Sequence, residues 1–153
     1  MGAATGLCVG SVGTARERTM AILIKCNASD VRAGEELSVT LPKEKRVGVI
    51  RDLEAFVWIS EDPREGPKGT GLEMRGNVTS WEPADDGRTT VTVRVSERLS
   101  RGFTMNALAR MAQQSEAASA LHRRIHKFRH RRIWGLTPPQ RDVLHEAFET
   151  LRA

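Results

Sequence analysis

The spacing of apolar residues changes once along this chain, near Leu99, and that change constrains the fold more than any other feature. Before it, apolar residues come in short runs or alternate with polar ones, the period of a β-strand; after it they recur every three or four residues, the period of a helix. Residues 21–26 (AILIKC) read as a buried strand, and 37–41 (LSVTL) alternate as a strand with one wet face does. Residues 46–51 predict a weaker strand, 55–60 (AFVWIS) a strong one, and 72–81 another, with Gly76 as a bulge or close approach. Asp86-Gly87 is a hairpin signal, and 90–97 (TVTVRVSE) alternate cleanly behind it.

In the second part, Thr104 is placed to cap a helix that starts at Met105 and carries Leu108, Met111 and Ala112. A break near Ser115 precedes a second helical pattern through Ala117, Leu121, Ile125 and Phe128, which ends at Trp134-Gly135. Thr137-Pro138-Pro139-Gln140 then announces a third helix, with Thr at the cap, Pro in the first turn and Gln three residues after Thr. Strands followed by helices argue for an α+β fold. The expectation is a small, curved, antiparallel β-barrel of five to six strands with flanking C-terminal helices.

At 153 residues the chain suits one domain with a real core. Residues 1–19 are small and Gly/Ala-rich, and read as a disordered extension or a mis-called start ahead of Met20; residues 20–153 form the domain. No apolar run approaches the ~20 residues that a membrane span needs. Cys8 and Cys26 are too few for a disulfide framework, which points to a reduced, cytoplasmic setting.

The positive charge is concentrated. Residues 121–134 (LHRRIHKFRHRRIW) hold six Lys/Arg and no acid, while the rest of the chain carries 18 Lys/Arg against 19 Asp/Glu. A cationic stripe on a balanced domain is the usual footprint of a polyanion partner, most often nucleic acid. Arg123, Arg124, Lys127, Arg129, Arg131, Arg132 and Trp134 are the candidates to hold its phosphate backbone. His122, His126 and His130 follow at four-residue intervals. With no acid or cysteine beside them and cations all around, they read as polyanion-facing side chains rather than metal ligands. His145, beside Glu146, reads as structural.

Phe56 and Trp58 lie two apart on one strand and so share a face, while Ala55, Val57 and Ile59 take the other face as core. Together with Trp81, and with Lys25, Asn27 and Ser60 as polar neighbours, the two rings are candidates to wall a pocket for an unstacked base. Glu61, Asp62 and Glu65 cluster after the same strand, and Lys25 with Glu61 is the one candidate acid/base pair. No phosphate loop, nucleophile elbow, metal-binding or dinucleotide motif is present, so no cofactor or metal is called for.

Three pieces in order carry a likeness: AILIKCN, AFVWISEDPREGPKGTGLEMRGNVTSWEP, and IWGLTPPQRDVLHEAF. The arrangement resembles the PUA-like superfamily, and within it the EVE-type domains, with the ASCH branch as neighbour. That resemblance implies a pseudo-barrel of about five strands with flanking helices and a concave pocket that reads nucleic-acid bases, some of them modified. By position it implies Lys25, Asn27, Phe56, Trp58 and Ser60 as pocket lining, with Trp81 as a second wall. The expected function is therefore a nucleic-acid-binding module, for DNA or RNA. The alternatives are an ASCH-like hydrolase of a modified nucleoside using Lys25 and Glu61, and an interaction protein whose basic helix binds an acidic partner.

Overall fold

The computed structural model describes residues 21–27, 36–41, 53–61, 70–127 and 132–152. Met20, residues 1–19, the expected strand at 46–51, and Phe128, Arg129, His130 and Arg131 lie outside the described residues.

Among the described residues, six strands form one mixed sheet: β1 (Ala21–Cys26), β2 (Glu36–Leu41), β3 (Glu54–Ile59), β4 (Gly71–Pro83), β5 (Thr89–Phe103) and β6 (Ile133–Leu136). The described residues also form three helices: α1 (Met105–Ala112), α2 (Glu116–Lys127) and α3 (Pro138–Arg152). The strand order is β2-β5-β4-β3-β1-β6, with β1 and β3 parallel and every other pair antiparallel. The class is α+β, as expected, and among the described residues the sheet does not close into the expected barrel. Among the described residues β2 and β6 are the two ends of an open sheet. Its inner pair is parallel, whereas chain-adjacent hairpins alone would have made it antiparallel.

The local signals act as physical chemistry demands. Gly87, at φ +88°, closes the β4–β5 hairpin, where Ala84 N donates to Arg88 O at 2.8 Å. At Gly76 a Cβ would sit 1.9 Å from the Arg94 carbonyl oxygen, so the close approach of β4 to β5 excludes any side chain there. Three register shifts along the β4–β5 pair, one of them at Arg75/Gly76, bend this long ribbon. Thr104 Oγ1 accepts from Ala107 N at 3.2 Å to start α1, and Ser115 Oγ accepts from Ala118 N at 3.2 Å to start α2. The Thr137/Gln140 capping box is complete, with Thr137 N donating to Gln140 Oε1 at 3.1 Å and Gln140 N to Thr137 Oγ1 at 3.4 Å.

Two predicted boundaries move. β5 runs on to Phe103, past the point where the helical period begins. The basic stretch is not one helix: its described part divides between α2, which ends at Lys127, and β6, which begins after Arg132. β6 adds to β1 through the pairs Leu23↔Trp134 and Ile24↔Ile133, so ladder hydrogen bonds override the helical spacing.

The sheet has two apolar faces. Leu108 of α1, Ala118, Leu121 and Ile125 of α2, and Leu144, Ala147 and Phe148 of α3 pack onto one, against Leu23, Phe56, Trp58, Leu72 and Trp134. The second cluster contains no helical residue among the described residues; Ile22, Ile24, Val57, Met74, Val78, Val91 and Val93 belong to it, with Trp81 packed at its margin.

Candidate functional site

β3 is buried on both faces, and this decides the fate of the aromatic wall. Phe56 and Trp58 do point the same way, but that way leads under the helices, and Trp58 is only 1% exposed. Trp81 is packed on the opposite face of the sheet. The two tryptophans therefore do not wall one hollow. Both faces of β3 are core because the strand lies inside the sheet and the helices cap one side of it; alternation along the strand marks which residues share a face but not whether that face is wet.

The polar members of the predicted pocket do come together. Lys25 stands opposite Trp58 in the parallel β1–β3 pair, and Ser60 N extends the ladder by donating to Cys26 O at 2.8 Å. On the other side of β1, Lys25 N donates to Arg132 O at 2.8 Å, just ahead of β6. Lys25, Asn27, Ser60, Glu61 and Arg132 thus gather at the carboxyl ends of β1 and β3, the end at which open sheets with parallel strands commonly hold ligands. Burial is graded across them. Asn27, Glu61 and Arg132 are half-buried at the mouth, and Lys25 behind them is 7% exposed. Asn27 Oδ1 and Arg132 Nη1 are themselves shut away from solvent.

Glu61 has a structural task there. Its Oε2 accepts from Met105 N at 3.1 Å, where a carboxylate meets the positive end of the α1 dipole. Lys25 pairs with Trp58, three residues before Glu61, so the pairing places the two residues at the same end of the sheet and goes no further toward an acid/base pair.

The cationic segment borders this edge. Arg124 Nη1 of α2 reaches the Gly135 carbonyl of β6 at 3.5 Å, a long contact between the helix and the strand. Arg123 and Lys127 are exposed, and Arg124 and Arg132 are half-buried. Trp134 does not belong with them: at 1% exposed it sits in the helix-side core, where no phosphate backbone can run. Its indole Nε1 is buried and makes no hydrogen bond among the described residues. The His122 and His126 rings stack at 6.1 Å between centroids and 14° between planes, and no group of three metal-ligating side chains occurs among the described residues.

The densest polar constellation is one that linear spacing does not reveal. His145 of α3 lies with one ring nitrogen 3.0 Å from Glu54 Oε2 and the other 2.9 Å from Arg75 Nη1. Arg75 Nε also donates to Glu97 Oε1 at 2.8 Å, and Arg141 Nε to Glu54 Oε1 at 2.6 Å. The Arg75 guanidinium stacks over Phe148 at 5.4 Å, and Phe56 meets His145 edge-on at 5.3 Å. Arg75 and Arg141 are paired with Glu54, Glu97 and Asp142, so the arginine charges are answered within the network. The network fastens α3 to β3, β4 and β5, in keeping with the structural reading of His145. Its only trace in the sequence is a charged Glu54 at the head of the otherwise apolar β3.

No helix among the described residues is long and apolar enough to cross a membrane. No known family model matches the chain, and no curated protein or solved structure is significantly similar to it.

Proposed function

We propose that this protein binds nucleic acid, DNA or RNA, laying phosphates along the cationic end of α2 and presenting one unstacked base to the polar mouth formed by β1, β3 and β6. The observation that carries this reading is the shared edge. The Arg124–Gly135 bond and the Lys25–Arg132 bond tie the cationic helix and the strand end to the same short strand. Phosphate contacts supply affinity without sequence information, and buried donors and acceptors at the mouth supply selectivity. The likeness to PUA-like and EVE-type domains supports the same reading, with the base held by polar edge groups, since Phe56 and Trp58 lie under the helices.

Fluorescence anisotropy with single-stranded and duplex oligonucleotides across a salt series tests it. Six phosphate contacts give a log–log salt slope of magnitude about 4–5. Failure to bind at low salt, binding insensitive to salt, or equal affinity for polyglutamate overturns the reading; the last outcome assigns the basic surface to an acidic protein instead.

A further inference from the structure

His122 and His126 sit at the surface of the cationic helix and touch little besides each other. They stand four residues apart on α2, with ring centroids 6.1 Å apart and ring planes within 14° of parallel. His126 is exposed and His122 half-buried. Among the described residues neither ring makes a hydrogen bond or an ion pair. Arg123 and Lys127 are exposed at the next positions, so an imidazole row and a cationic row run side by side along one stretch of helix. The one acid of α2, Glu116, lies in its first turn. Of the elements that meet α2, α1 carries a single charged side chain, Arg110, and β6 carries none. The exposed acids of α3, Asp142, Glu146 and Glu149, form no ion pair with either ring.

We infer that phosphate binding along α2 takes up protons at His122 and His126, so that acidity tightens the hold on nucleic acid. This rests on the nucleic-acid reading above and adds its regulation. A neutral imidazole offers one N–H and no charge, whereas an imidazolium offers two and a full positive charge. A phosphodiester oxygen can only accept, so it favours the protonated ring. By linkage, a ligand that favours the protonated form binds more tightly as pH falls. Histidine is the side-chain type that changes charge between about pH 5 and 8, a range in which arginine and lysine stay charged. The cationic row thus supplies a constant attraction and the imidazole row a graded one.

The test uses the full chain and a double variant, His122→Gln with His126→Gln, whose amides keep a donor but take no charge. Anisotropy with single-stranded oligo(dT) is read at about pH 8 and about pH 5.5, across a salt series at each. Thymine does not titrate in this range. The wild type is expected to bind about tenfold tighter at the lower pH, the effect of new charge-assisted bonds. Its salt slope should be steeper there by about 2, one for each new phosphate contact. The double variant should match the wild type at the higher pH and lose most of the gain at the lower. Three results overturn the inference while leaving nucleic-acid binding intact: equal wild-type affinity at both pH values, a gain with an unaltered salt slope, or a gain that the double variant keeps. If the double variant fails to fold, His126→Gln alone, at an exposed position, should lose about half of the gain, and a full gain overturns the inference. Failure of the wild type to bind at either pH sinks the nucleic-acid reading itself, a separate result.

Discussion

His145 and Glu54, 91 positions apart, are joined by a hydrogen bond from the imidazole Nε2 to the carboxylate, at 3.0 Å to Oε2 and 3.1 Å to Oε1. The direction of that bond follows from the other nitrogen. Arg75 can only donate, so His145 Nδ1 accepts from it and the ring proton sits on Nε2. One side chain thereby links α3 to both β3 and β4. The single changes Glu54→Ala and His145→Ala should each destabilise the fold by about 1–3 kcal/mol. The double variant should lose less than their sum, with a coupling of about 0.5–3 kcal/mol. Urea unfolding of the four proteins measures this; strict additivity would mean that the two residues act independently.

Gly76→Ala should be more damaging than its size suggests. The new methyl would stand 1.9 Å from a backbone carbonyl, and backbone cannot step aside as a flexible side chain can. A loss of at least about 1–3 kcal/mol is expected, the usual cost of overpacking. Thermal melting measures it, and a neutral result would show that β4 and β5 separate there without cost.

The start of α3 is a more modest target. Thr137→Ala removes the acceptor for Gln140 N and should cost about 1 kcal/mol. Gln140→Ala removes the reciprocal acceptor for Thr137 N and should cost a similar amount. Equal stability of both variants and the wild type in urea would deny the cap any energetic role.

Trp58 separates packing from recognition. As a fully buried ring under the helices, Trp58→Ala should lose about 3–5 kcal/mol of stability. Trp58→Phe, if it folds, should bind oligonucleotides with unchanged base preference. A selective loss of one base in Trp58→Phe would return the ring to the recognition site.

The exposed cations test the other half of the site. Arg123→Glu with Lys127→Glu should leave the melting temperature nearly unchanged, because neither side chain is buried. It should weaken binding to all sequences and lower the magnitude of the salt slope by about 2. An unaltered slope would mean that phosphates run elsewhere.

Whatever depends on neighbours in the chain was legible in the sequence: the β1 residues, the Thr104 and Thr137 caps, the Asp86-Gly87 turn, the close approach at Gly76, and the change from strands to helices after β5. These follow from backbone sterics and hydrogen bonding over a few residues. Tertiary structure alone decided that Phe56 and Trp58 face helices while Trp81 faces the other cluster, that β6 leaves the basic stretch to pair with β1, and that Glu54, Arg75 and His145 meet. The physical reason is that a period of two or 3.6 marks which side chains share a face of one element. Which elements share that face, and whether water reaches it, depends on pairings across tens of residues that no local spacing records.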